Sequence, residues 1–453
     1  MADDYKGIHY APLEKHFDRI LTPFEDFIHR QTTSGILLIV TTLLALVIAN
    51  SGMQADYQHI THLPIGLTVG NWSLQYSLQH WVNDGLMALF FFVVGLELKR
   101  EILLGELASP RKAALPIIAA IGGMLMPALI YYMFNPTGPT AHGWGIPMAT
   151  DIAFAVGILA LLSARIPKQL VTFLVALAIV DDLGAVLVIA IFYTATLDVL
   201  ALAAAASIVM MLVGLNAAGV RRITPYFLLA LPLWYALLLS GVHPTLAGVL
   251  GAFTIPAHPK YEPRYFSQRI RDLMTKFDKC LEQDARLTSN EELRALVHAV
   301  KKNTHKVMAP LQQLEHAWHL PVAFLVIPVF AAVNAGVPLD FSGGLANSLN
   351  SPVLQGIVSG LVAGKFIGIF GFSWLAVKCG LAALPDGTNF RQIAGVALLG
   401  GIGFTMSIFI AQLSFINDEQ LVLEAKLGIL LASLIAGVSG FLWLWLLGLK
   451  KAA

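Results

Sequence analysis

Two aspartates, Asp181 and Asp182, stand side by side in an apolar run from Val171 to Tyr193 that carries no other charge. The run is 23 residues long, about 35 Å of helix at roughly 1.5 Å per residue, enough to cross a bilayer. One ionised side chain at the centre of such a helix costs on the order of 2.5–3.5 kcal/mol, and an adjacent like charge adds repulsion. A carboxylate pair survives there only where it faces water, a partner or a cation. Neighbours on a helix point about 100° apart, so the two cannot aim at one point. One is expected to face a basic partner and the other an ion cavity. Burial and a like charge favour the protonated form of a carboxyl, and a nearby lysine favours the ionised form. The balance is expected to leave at least one of the pair exchanging a proton near neutral pH, holding either a proton or a hard cation but not both.

Three further features could serve that chemistry. Lys365 is the one cation at depth in a later apolar run, where Gly356, Gly360, Gly364 and Gly368 recur every four residues as a close-packing face. Two readings of Lys365 stand together: an ion pair that holds helices, or a cation released when an aspartate protonates or binds a metal ion. Thr150 and Asp151 follow Gly145, Ile146 and Pro147, a stretch that breaks a helix and frees backbone carbonyls. Gly400, Gly401 and Gly403 interrupt the run from Gln392 to Leu413, with Thr405 just after. Oxygen ligands from Thr150, Asp151 and freed carbonyls suit a small hard cation better than a soft metal.

The elements that must position these groups are membrane helices. The chain is 57% hydrophobic and 13% charged, against roughly 25% charged in soluble domains. An all-α polytopic membrane protein is expected, and the net charge of +1 points to no nucleic-acid partner. Twelve apolar runs begin near residues 32, 78, 113, 146, 169, 199, 223, 244, 316, 352, 392 and 423. Lys6, Lys15, Arg19 and Arg30 precede the first, none falls in 51–77, and Lys99, Arg100, Arg111 and Lys112 come next. The alternation continues to Lys450 and Lys451, so that all Lys and Arg but Lys365 and Lys426 lie on one face. The positive-inside rule then puts both termini in the cytoplasm. On this topology spans 3–5 and 10–12 have opposite orientation, with an interrupted helix at the centre of each triplet.

The chain divides into a cytoplasmic amphipathic segment at 1–31, spans 1–8 in 32–256, an insertion at 257–312 and spans 9–12 in 313–453. The polar first 31 residues carry ten charges and do not resemble a cleavable signal. Alternation on either side of Gly70-Asn71 predicts an extracytoplasmic β-hairpin over about 62–78. The insertion reads as a cytoplasmic helical hairpin with an N-cap at Thr288-Ser289-Asn290. It is either a solvated appendage or a regulatory or oligomeric element. Cys280 and Cys379 fall on the cytoplasmic side, where a structural disulfide is not expected.

Other polar groups carry less weight. Asp84 is a vestibule carboxylate or a polar helix contact. Glu97, Lys99, Arg100 and Glu101 are interface charges or an ion-attracting, pH-sensitive mouth. His243 is a capping or loop residue, and Glu315, His316 and His319 share a face where titration near neutral pH is more credible than metal binding.

Together the motifs Trp81-Val-Asn-Asp84-Gly-Leu, Val94-Gly-Leu-Glu97-Leu-Lys-Arg100-Glu101, Ala149-Thr150-Asp151-Ile-Ala-Phe and Ala178-Ile-Val-Asp181-Asp182-Leu-Gly resemble the NhaA family of bacterial sodium/proton antiporters. Ser240-Gly-Val-His243, Ala363-Gly-Lys365 and Gly401-Ile-Gly-Phe-Thr405-Met-Ser-Ile-Phe-Ile add to the resemblance, which covers about residues 12–256 and 312–449. Paired interrupted helices in inverted repeats point to a midmembrane transport site, a rule that has NhaA among its type cases and is therefore not independent of the resemblance. The resemblance implies twelve transmembrane helices, two broken helices crossing at spans four and eleven, and a homodimer using the β-hairpin. It implies electrogenic exchange in the bacterial inner membrane, with two protons entering per Na⁺ or Li⁺ expelled, by alternating access and switched on toward alkaline pH. No cofactor and no enzymatic activity are implied.

By the same resemblance Asp182 and Asp181 are the ion and proton carriers, Asp181 being paired with Lys365 and Na⁺ lying at Asp182, Asp181 and Thr150. Asp151 offsets helix dipoles at the crossing. Glu97, Arg100, Glu101 and Glu315 match a pH-responsive cytoplasmic region, with Asp84 and His243 at a vestibule. Shorter members lack the 257–312 insertion. A sodium-coupled organic-anion symporter of the same fold is an alternative, although Lys365 and the dense acidic site fit proton exchange better. An intramembrane aspartyl protease would need Gly-x-Gly-Asp and Tyr-Asp, and neither occurs. A channel or receptor is a third possibility.

Overall fold

Some of these apolar runs stay whole and others break, and the breaks after Pro147 and at Gly400, Gly401 and Gly403 fall at proline and glycine. The computed structural model describes residues 31–452 apart from 71, 164, 195–196, 284–289, 339–348 and 417. The expected amphipathic segment therefore lies outside the described residues except for Gln31, as do Asn71, Thr288 and Ser289.

Helix α1 (Gln31–Ala49) turns through 115° into α2 (Gln54–Thr61). The antiparallel hairpin β1 (Pro64–Val69) and β2 (Trp72–Ser77) follows, with Val69 opposite Trp72 and Gly70 at φ 61°, a conformation glycine adopts without penalty. A wide π-helical turn, Trp81–Leu86, feeds α3 (Met87–Leu104), which is followed by α4 (Pro110–Phe134). A tight 3₁₀ segment, Pro139–Met148, precedes α5 (Ile152–Leu161). Next come α6 (Lys168–Phe192), α7 (Val199–Ala217), α8 (Thr224–Ser240) and α9 (Leu246–Thr254). The insertion contributes α10 (Pro263–Gln283) and α11 (Glu291–Val307), and Asn290 caps the latter by accepting from the backbone of Glu292 and Leu293.

Helix α12 (Pro310–Pro321) continues through a π turn, Val322–Val326, into α13 (Ile327–Asn334). A second such junction, Gly360–Gly364, joins α14 (Pro352–Ser359) to α15 (Lys365–Lys378). The last elements are α16 (Phe390–Leu399), α17 (Phe404–Ser414) and α18 (Glu419–Ala452).

Each of the twelve apolar runs is helical, but fewer qualify as spans by length and composition alone. Among the described residues seven helical stretches do so, or nine if α1–α2 and α16–α17 each count as one bent span. The others fall short for local reasons. Helix α3 ends in Glu97, Lys99, Arg100 and Glu101, α8 has 17 residues, and α9 has nine. At roughly 1.5 Å per residue α9 is too short to cross a bilayer by itself.

The packing centre is the contact of α4 with α14 and α15, where glycines let backbones meet. A β-carbon at Gly368 would stand 2.1 Å from the Gly122 carbonyl oxygen, and one at Gly364 would stand 2.7 Å from Cα of Pro127. Gly360 faces Pro147, and Gly356 faces Asn135 and Tyr131 in the same way. Gly371, on the same helix, faces open space. Gly368→Ala is expected to push α15 off α4 and cost about 1–3 kcal/mol, whereas Gly371→Ala should be neutral or slightly stabilising. Thermal unfolding in detergent distinguishes them. Equal midpoints for the two variants would show that this contact does not limit stability.

Candidate functional site

Two helix breaks meet at one point. In the first, Pro147 closes the 3₁₀ segment and residues 149–151 run without helix until Asp151 caps α5, its Oδ1 accepting from the Phe154 N–H at 2.9 Å. In the second, glycines at 400, 401 and 403 separate α16 from α17, which are bent 47° apart. Each break satisfies free backbone groups of the other. The Asp151 N–H donates to the Ile402 carbonyl at 2.7 Å, and the Ser407 hydroxyl donates to the Ile146 carbonyl at 2.8 Å. Asp151 Oδ2 accepts from the Thr405 N–H at 3.0 Å and from its hydroxyl at 2.6 Å. One carboxylate thus caps two half-helices, where the positive ends of both dipoles favour an anion.

The aspartate pair reaches this crossing from α6. Asp181 Oδ2 accepts from the Thr150 hydroxyl at 2.8 Å and from Lys365 Nζ, and both Asp181 and Lys365 are fully buried. The Thr150 hydroxyl also lies 2.9 Å from the Gly400 carbonyl. It has one proton, so it serves one acceptor at a time. The glycine-rich π turn just before Lys365 sets its direction, and such bulges recur at functional sites. Asp182 differs sharply from its neighbour. It is fully buried, and neither of its oxygens has a hydrogen-bond partner among the described residues; Asp181 Oδ1 is likewise bare. A buried carboxylate in that state is stable only when a proton or a cation neutralises it. No group of three or more His, Cys, Asp and Glu among the described residues is arranged to hold a metal. A cation at Asp182 would need hydroxyl or carbonyl oxygens among its ligands.

The remaining candidates form two separate clusters at opposite ends of α3. At the end poor in Lys and Arg, which we call outer, a cavity of about 520 Å³ is lined by Asp84, His80, His243 and Lys426 among others. Asp84 lies 3.0 Å from His80 Nε2 and 4.0 Å from His243 Nδ1. His243 thus lines the cavity and also meets the Thr245 hydroxyl at 3.3 Å. At the other end Arg100 pairs with Glu315 at 2.5 Å and with Glu101 at 2.9 Å, and His319 approaches Glu97 at 3.4 Å. Lys99 belongs to neither ion pair: it donates to the carbonyls of Phe253 and Ile255 and so caps the end of α9. His316 is exposed, as is His319.

Reading the residues in order missed several contributors. Thr405, noted only as a neighbour of the glycines, holds Asp151. Lys426, an exception to the charge alternation, lines the outer cavity. Asn334 and Gln412 bond to Asn83; their signal was a carboxamide near the end of an otherwise apolar run.

The chain matches the Na⁺/H⁺ antiporter 1 family model over residues 25–444. It is 55% identical to Na⁺/H⁺ antiporter NhaA 1 of Saccharophagus degradans over 439 residues, 97% of this chain and 94% of that protein. It is 52% identical to Na⁺/H⁺ antiporter NhaA of Acidithiobacillus ferrooxidans, covering 95% and 99% of the two chains. Identity to the NhaA antiporter of Sulfurimonas denitrificans is 50%, over 96% and 98%. These relatives are named as transporters rather than enzymes. With apolar helices crossing a membrane several times and two broken ones meeting at buried carboxylates, the chain belongs to the Na⁺/H⁺ antiporter family represented by these NhaA proteins.

Proposed function

We propose that this protein exchanges internal Na⁺ or Li⁺ for external protons, electrogenically, two protons entering for each cation expelled. The observation that carries the proposal is Asp182, buried with both oxygens bare beside an Asp181 already held by Lys365 and Thr150. Asp182 is the cation site, with Asp181 and Thr150 at hand. Asp181 is the proton site, and Lys365 leaves it when it protonates. Proton and cation compete for the pair, so the loaded forms are the ones that move. Asp151 holds the crossing together without taking cargo, since both its oxygens are engaged by the half-helix termini.

The reading extends to architecture and regulation. Twelve spans are assembled with α9 as a half-length member, and spans 3–5 and 10–12 form inverted repeats. Both termini are cytoplasmic in a bacterial inner membrane, and two copies join through the β-hairpin. Asp84 and His243 form the outer vestibule. Glu97, Arg100, Glu101 and Glu315 form an inner cluster that responds to alkaline pH, serving Na⁺ and pH homeostasis.

The test uses the full chain in proteoliposomes with an internal pH dye. Addition of Na⁺ or Li⁺ should move protons in the opposite direction, faster at alkaline pH, and clamping the membrane potential should accelerate it. No proton movement with either cation would overturn the proposal. Proton movement unaffected by the potential clamp would overturn the two-to-one stoichiometry alone.

A further inference from the structure

Three carboxamides from three separate helices close a ring beside the outer cavity. Asn83, in the π turn before α3, donates through Nδ2 to Gln412 Oε1 at 2.6 Å. Gln412, near the end of α17, donates through Nε2 to Asn334 Oδ1 at 2.5 Å. Asn334, the last residue of α13, donates through Nδ2 to Asn83 Oδ1 at 2.8 Å. Each member gives one bond to the ring and accepts one, Gln79 Nε2 adds a bond to Asn334 Oδ1 at 3.1 Å, and Asn334 is fully buried. Asn83, Gln79 and Gln412 line the cavity.

Beneath the ring the same three helices each supply a phenylalanine. Phe409 lies about one turn inward of Gln412, Phe330 about one turn inward of Asn334, and Phe91 about two turns inward of Asn83. The Phe409 ring centre is 5.9 Å from that of Phe91 and 6.4 Å from that of Phe330. All three are at most 1% exposed. One turn further along α17, Thr405 holds Asp151 at the crossing. From the cavity inward the order is amide ring, aromatic layer, crossing, about 10 Å from Gln412 to Thr405 at roughly 1.5 Å per residue.

The geometry points to the ring of Asn83, Asn334 and Gln412, backed by Phe91, Phe330 and Phe409, as the outer gate of the transport cycle, with Gln412 as its latch. This rests on the antiport reading, because exchange by alternating access needs a seal on one face that opens reversibly. Neutral carboxamides suit such a seal. Each bond is worth little net, since water replaces it when the ring opens, whereas a buried ion pair broken at the same place would leave uncompensated charges. The aromatic layer keeps the closed gate dry. Gln412 is the ring member on the broken helix, so movement of α17 away from α3 and α13 opens the ring.

The experiment measures the apparent affinity for Na⁺ added to the outer or the inner face of proteoliposomes of known orientation. If the ring is the gate and Gln412 its latch, Gln412→Ala raises the ratio of outer to inner affinity by about fivefold, the worth of about one net hydrogen bond. Gln412→Glu keeps the acceptor for Asn83 but removes the donor to Asn334; it is nearly isosteric and should raise the ratio too. A merely structural role lowers yield or turnover and leaves the ratio where it was. An unchanged ratio in either folded variant, with normal wild-type exchange, overturns the gate. A wild type that exchanges no protons for Na⁺ defeats the antiport reading itself.

Discussion

Asp182→Asn is expected to reduce Na⁺-driven proton movement to the level of protein-free vesicles while leaving the fold intact. The two halves of that result have one cause. Neither Asp182 oxygen is bonded to another described residue, so an amide of the same shape breaks no contact. It also removes a carboxyl whose ionised form is costly to bury, and thermal stability should hold or rise. Yet an amide neither titrates nor carries the negative charge that a cation needs. The measurement pairs transport in proteoliposomes with thermal unfolding of the same preparation. Retained exchange would remove Asp182 from the ion site. Lost exchange with a collapsed unfolding midpoint would mean that its oxygens have a structural partner after all.

The second large effect is the reverse case, a stability loss from breaking a pair. Lys365→Met leaves Asp181 ionised and fully buried, with the Thr150 hydroxyl as its one remaining partner among the described residues. Removing one member of a buried pair costs about 3–5 kcal/mol. A large fall in the unfolding midpoint should follow at alkaline pH. The loss should shrink as pH falls, because a proton on Asp181 removes the orphaned charge. Asp181→Asn combined with Lys365→Met removes both charges and should recover most of the stability, giving a coupling energy by double-mutant cycle. A Lys365→Met protein as stable as wild type at alkaline pH would show that the pair is not what holds α6 to α15. Together the two experiments separate the aspartates, one free of structural duty and one bound by it.

The sequence alone determined that this is a membrane protein with carboxylates at depth and helices broken at Pro147 and at Gly400–Gly403. Those features are legible because their energetics are local and large: a charge in hydrocarbon, a missing N–H and a glycine cluster each act within a few residues. The glycine periodicity before Lys365 was readable for the same reason. Which aspartate meets Lys365 was not readable from residue types, because a 100° step along α6 separates the candidates and helix rotation decides between them. The resemblance named Asp181, and Lys365 does donate to Asp181. Twelve apolar runs were legible, but hydropathy alone does not say how many of them cross. Whether nine residues of α9 serve as part of a crossing depends on what packs around them, not on their hydropathy.

Only the tertiary structure joined Asp151 to Thr405 and closed Asn83, Asn334 and Gln412 into a ring, since all but one of these contacts span hundreds of residues and polar side chains carry no mark of whom they will meet. The anomaly at Asp181 and Asp182 was written in the chain. Its resolution, one carboxyl partnered and one left bare, was decided by how α6 and α15 meet the two broken helices.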